Sequence, residues 1–115
     1  MAGLNKVTLI GNLGKDPELK YFEGNIAKLS FSLATSEFYK DKSGNNVEQT
    51  EWHNIVFWRT LAENGEKFLK KGMQVYIEGK IQTRKWVDKD GQKKTITEIV
   101  GESFILLNNR DQNLK

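Results

Sequence analysis

The sequence predicts an all-β domain of five strands in a partly open antiparallel barrel, with one short helix between strands three and four. Three observations predict it. Apolar residues recur at every second position through most of the chain, the period of a half-buried strand. A helical period appears once, between residues 60 and 72. Gly, Pro, Asn and Asp cluster between the periodic runs, with no internal repeat and no low-complexity linker. The 115 residues fit one domain. That domain is expected over 1–108, with 109–115 as a flexible C-terminal end.

The first strand is LNKVTLIGNL at 4–13, rich in Val, Leu and Ile and ended by GKDP at 14–17. IAKLSFSLAT at 26–35 sets Ala27, Leu29, Phe31 and Leu33 on one face and Lys28, Ser30 and Ser32 on the other. This second strand is half buried. FYKDKSGNNVEQ at 38–49 is polar, with Ser43 and Gly44 at its middle, and reads as the loop of a long hairpin. TEWHNIVFW at 50–58 is the third strand, an antiparallel neighbour of the second. In TLAENGEKFLKKG at 60–72, Leu61, Ala62, Phe68 and Leu69 fall on one helical face, with Phe68 expected in the core beside Phe31 and Phe57. Thr60 and Glu63 match a capping box, and Gly72 suits the C-terminal cap. MQVYIEGKIQTRKW at 73–86 turns Met73, Val75, Ile77 and Ile81 inward and Tyr76, Glu78, Lys80, Arg84 and Trp86 the other way. Asp90-Gly91 signals a tight turn, and KTITEIVGESFILL at 94–107 returns as the fifth strand.

Composition excludes several function classes. With 37% hydrophobic and 29% charged residues the chain is ordinary for a globular protein and too apolar for disorder. There are no cysteines, hence no disulfides, thiolate metal sites or thiol nucleophiles, which fits a reducing cytoplasm. The N-terminal stretch has no export-signal pattern, and no apolar run approaches the roughly 20 residues needed to span a bilayer. No membrane association and no cofactor are expected.

Net charge is only +3, but residues 80–94 hold Lys80, Arg84, Lys85, Lys89, Lys93 and Lys94 against Asp88 and Asp90. Charge clusters more often serve solubility than binding. Trp86, inside this cluster, is what solubility does not ask for. TEWHNIVFW raises the same point, because alternation puts Trp52, Asn54, Val56 and Trp58 on one face and His53, Ile55 and Phe57 on the other. A small domain has one core. Only one of these aromatic-bearing faces can turn into it.

Three strands, a helix and two strands form the order of the OB-fold, which presents a sheet face and long loops to oligonucleotides. The residues add a family likeness. NKVTLIGNLGKDPE at 5–18, LATSE at 33–37, QTEWH at 49–53, LKKGMQVYIEG at 69–79 and TRKW at 83–86 resemble, in order and over nearly the whole length, the bacterial single-stranded DNA-binding proteins. The resemblance implies an OB barrel, a homotetramer, a cytoplasmic and nucleoid-associated location, and single-stranded DNA as partner during replication, recombination and repair. It also implies that the strand wraps over aromatic and basic side chains with little sequence preference.

Residue by residue, Trp52 in TEWH and Trp86 in TRKW match the family's stacking tryptophans, while Trp58 stands where phenylalanine is usual. Tyr39, before Lys40, takes the place of another tryptophan, with Phe38 beside it. Every base offers a flat ring, so aromatics suit sequence-tolerant binding. Lys40, Lys80, Arg84, Lys85 and Lys93 are the expected phosphate contacts. Asn54 and Thr60 stand where relatives often carry basic residues, which should make the salt dependence of binding shallower. Relatives continue into a Gly- and Pro-rich linker and an acidic tail that recruits replication and repair proteins. This sequence ends at DQNLK, so recruitment of that kind is not expected of it.

An enzyme would need more. His53 is the only histidine and shares a strand face with Glu51, a pairing capable of general-base work. No nucleophile motif, phosphate loop, metal cluster or pair of catalytic carboxylates accompanies it. His53 is assigned a structural role, since the matching family residue lies near subunit contacts. No catalytic and no metal site is expected.

Overall fold

The structure, a computed structural model, describes residues 2–107. The expected C-terminal end at 109–115 lies outside them. Six strands and one helix follow in order: β1 Val7–Leu13, β2 Glu18–Phe22, β3 Ile26–Lys40, β4 Asn46–Trp58, α1 Arg59–Phe68, β5 Gln74–Val87 and β6 Lys93–Leu106. The pairings run β1–β5–β6–β4–β3 and return to β1, so the sheet curls around one core. Two of the junctions are short. β1 meets β3 only at Asn12↔Ala34 and Leu13↔Leu33, and β4 meets β6 only at Ile55↔Ile99 and Val56↔Val100. The partly open barrel expected from the sequence is therefore present, and its weak seams are these two.

Several expectations are corrected. The five strands become six, because ELKYF after Pro17 pairs along β3 from Glu18↔Ser30 to Phe22↔Ile26. The arrangement is not wholly antiparallel, since β4 and β6 run parallel where they close the sheet. Residues 38–49 are not a loop: the β3–β4 ladder continues to Lys40↔Asn46 and leaves only five residues for the turn. The chain gains ladder hydrogen bonds by staying extended, and no core contact is needed for that.

The two long hairpins end in the same device. In DKSGN, Asp41 Oδ1 accepts from the N–H groups of Ser43 and Asn45, and in DKDGQ, Asp88 Oδ1 accepts from those of Asp90 and Gln92, all at 2.9 Å. Each side chain replaces backbone partners that the tip could not otherwise supply.

The helix starts differently from its expected cap. Trp58, still extended at φ −122°, holds the N-cap position with no side-chain cap bond, and Thr60 is already inside the helix. Glu63 does not close a capping box; it lies 3.4 Å from the Tyr21 hydroxyl of β2, which donates to it. Gly72 lies beyond the C-cap at Leu69, in a turn where its N–H donates to Leu13 O at 2.9 Å.

The core is built from Leu29, Leu33, Phe57, Leu69, Val75 and Ile77, each at most 1% exposed. Phe57 joins its halves, meeting Phe31 edge-on at 5.3 Å and stacking on Phe104 at 5.4 Å. The helix presents Ala62, Gly65 and Leu69 to it. This stripe excludes Phe68, one residue round from Leu69, which is half exposed instead of buried as expected. Ile81 keeps the predicted face of β5, yet there the β5–β6 ribbon runs past the core and leaves it half exposed.

Candidate nucleic-acid interface

Alternation along β3 and β4 sets up the outer face. Cross-strand rows pair Ala34 with Trp52, Ser32 with Asn54, Ser30 with Val56 and Lys28 with Trp58. Trp52 and Trp58 thus share one face, six residues or about 20 Å apart at the rise of a strand, and are 58% and 38% exposed. Their strand's other face carries Ile55 and Phe57 into the core. Val56 is on the outer face but buried, because β6 crosses there and the β5–β6 ribbon rises beside it. A groove results, bordered by the cations Lys15, Lys28 and Arg84, the carboxylates Asp16, Glu18 and Glu98, and the polar Ser30, Ser32 and Asn54.

Each tryptophan has its own support. Trp52 rests on Gly14: a Cβ added there would come within 2.6 Å of the indole, so only glycine lets the ring lie flat against the chain. Trp58 has Phe22 of β2 at 6.1 Å between centroids and the Lys28 ammonium 5.4 Å from its own ring. Trp86, on the β5–β6 ribbon, has the Arg84 guanidinium 5.2 Å from its ring.

Arg84 is also committed elsewhere. Its Nε and Nη2 donate to the two carboxylate oxygens of Glu98, both at 3.0 Å. Glu98 is the one buried charged residue among those described. That bidentate pairing holds the guanidinium above its ordinary pKa, against the opposing effect of partial desolvation. Arg84 thereby anchors the ribbon beside Trp86, and much of its charge is already balanced.

The remaining residues fall on two sides of their ribbons. Alternation puts Phe38 and Lys40 on the face of Trp52 and Tyr39 on the reverse of the β3–β4 hairpin, all three exposed. Lys80 and Arg84 share the Trp86 face, whereas Lys85 and Lys93 lie on the opposite face of β5–β6. The basic segment is thus a two-sided ribbon. Its cations are therefore not all presented on one face.

His53 lies apart from this groove. It is half buried, 2.9 Å from the Thr35 hydroxyl through Nε2, in a separate cleft lined by Thr8, Ile10, Glu37 and Glu51. Among the described residues no group of three His, Asp or Glu side chains could hold a metal ion, and no helix is long and apolar enough to cross a membrane.

The sequence reading missed Lys15, Gly14 and Phe22. Gly14 was legible only as a strand break, and Phe22 belongs to the strand that was overlooked. Lys28 was legible as an outward residue, but its place over two aromatic rings was not.

Comparison with known proteins bears on this geometry. Residues 4–107 match the Single-strand binding protein family. The single-stranded DNA-binding protein 1 of Xylella fastidiosa is 46% identical over 116 aligned residues, covering 100% of this chain and 85% of that protein. The single-stranded DNA-binding protein of Neisseria meningitidis is 50% identical over 110 residues, covering 96% of this chain but only 63% of its relative. Among solved structures, the Plasmodium falciparum SSB in complex with ssDNA superposes with a TM-score of 0.85 at 37% identity, covering 94% of this chain and 98% of that one.

Proposed function

The chain belongs to the single-strand binding protein family, and from that membership we propose that it binds single-stranded DNA without strong sequence preference and protects it during replication, recombination and repair. The observation that carries this reading is three exposed tryptophans, Trp52, Trp58 and Trp86, on the outward faces of β4 and β5, each held by its own support. Bases stack on these rings and on Phe38 and Tyr39 at the hairpin tip. Lys40, Lys80, Lys85 and Lys93 meet phosphates, and Arg84 divides its charge between Glu98 and the strand. The protein acts by binding, not by turnover. A cytoplasmic, nucleoid-associated location goes with such a role.

Assembly as a homotetramer is part of the same reading. It is supported by an apolar row across the outer face of β1, β5 and β6, Ile10↔Tyr76↔Ile105, in which Ile10 and Ile105 are 52% and 57% exposed. An exposed row of this kind is expected to be covered by a second copy.

Titration of tryptophan fluorescence with oligo-dT tests the binding reading. Quenching is expected, and Trp52→Ala should lose roughly 1–3 kcal/mol. Emission that ignores oligo-dT at low salt would overturn it.

A further inference from the structure

The surroundings of Trp58 go further than a single stacking ring. Cross-strand pairing lines up Lys20 of β2, Lys28 of β3 and Trp58 of β4 in one row. Beside that row Phe22 remains 47% exposed, although it lies close to Trp58 with its ring tilted by 37°. Lys28 Nζ stands 5.9 Å from the Phe22 centroid and 5.4 Å from that of Trp58, so one ammonium covers both faces. Arg59, which follows Trp58 directly, is exposed and has φ +60°, in the left-handed region that disfavours any side chain beyond Cα.

These features are poorly accounted for by packing. Two rings that served only to cover each other would not both stay open to solvent. A glycine at position 59 would relieve the strained turn, and an arginine there keeps the strain. Neither Lys28 nor Arg59 has a carboxylate within 4.0 Å among the described residues. The neighbouring acids are occupied or set aside: Glu18 is 3.9 Å from Lys20, Glu63 takes the Tyr21 hydroxyl, and Glu23 begins the turn beyond Phe22.

We propose that Phe22, Lys28 and Arg59 form a nucleotide subsite that carries the DNA track from Trp58 onto β2, and this rests on the single-stranded DNA reading above. One further base stacks on Phe22. Its arrival displaces the Lys28 ammonium from the rings, and that ammonium, together with the Arg59 guanidinium, meets the phosphate that comes with the base. A cation over an aromatic face marks a place where a base can take over the stacking, with the displaced charge still close enough to neutralise the backbone.

The test uses the full chain with oligo-dT of graded length and an abasic strand of the same lengths. Phe22→Leu keeps the apolar bulk but removes the flat ring. It should weaken oligo-dT binding about five- to one-hundred-and-fifty-fold, leave the abasic strand unaffected, and shorten by one nucleotide the length that gives full quenching. Phe22→Tyr, which keeps a flat ring, should retain the parent's oligo-dT affinity and saturating length. Arg59→Gly should raise Tm while weakening both strands, and should lower the salt slope by about 0.7. Trp52→Ala separates the two levels of the reading. If it weakens oligo-dT while Phe22→Leu and Arg59→Gly bind like the parent, the subsite is wrong and the DNA reading stands. If the parent does not bind oligo-dT, both fall.

Discussion

Glu98 shows how one buried side chain governs a surface that is meant to carry charge. Glu98 is buried and its two carboxylate oxygens accept from Nε and Nη2 of Arg84, which offsets the cost of burying the charge and withholds a cation from the groove. Removing Arg84 would strand a buried charge beside the proposed DNA path. Removing the negative charge alone has the opposite effect. Glu98→Gln still accepts one bond from Arg84 and releases the rest of its charge toward phosphate. The salt slope for oligo-dT should steepen by up to about 0.7 with affinity rising at low salt, and titrations at several salt concentrations read it directly. An unchanged slope would mean that Arg84 does not face the strand.

The helix is positioned by its narrowest residue. Gly65 faces the barrel so closely that an added Cβ would lie 2.7 Å from Leu29 Cδ2 and 3.1 Å from Phe57 Cδ2. Two effects compete in Gly65→Ala. Helix propensity favours alanine by roughly 1 kcal/mol, while overpacking a filled core costs about 1–3 kcal/mol. Both neighbours are at most 1% exposed and have nowhere to go, so crowding wins. Net destabilisation of up to about 2 kcal/mol is expected, read as a lowered denaturant midpoint. Phe57 also lies on the strand between Trp52 and Trp58, so a tilt of the helix reaches the stacking face through that shared strand.

The outer surface of the molecule carries two unlike regions. One holds the exposed tryptophans and the groove between them, the other the Ile10↔Tyr76↔Ile105 row. In the proposed assembly copies join through the second region, and several linked binding sites would hold one strand more tightly than separate ones do. An Ile10→Asp, Ile105→Asp double variant sets two carboxylates into that contact. Light scattering at micromolar concentration should show the parent as an assembly and the variant at lower mass, with oligo-dT affinity falling most for long strands. A parent that scatters as a monomer would rule out the assembly.

The sequence by itself determined the barrel, the helix between the third and fourth long strands, the outward face of Trp52 and Trp58, and the clustering of charge around Trp86. These are readable because period two and the sign of a charge are local properties of the chain. Only the tertiary structure decided the rest. ELKYF is too short and too polar to declare itself, and it is a strand because β3 offers it an edge to pair with. Residues 38–49 look like a loop until the ladder that extends them is seen. Phe68 shares a helical period with core residues but lost its place to the Ala62, Gly65 and Leu69 stripe, a choice made by the shape of the opposing sheet. Arg84 and Glu98 are fourteen residues apart, and Phe22 and Trp58 thirty-six, yet each pair meets across strands. Pattern along the chain fixes which face a side chain takes. Which partner waits there is set by strand register and barrel closure, and those depend on contacts between residues far apart in sequence.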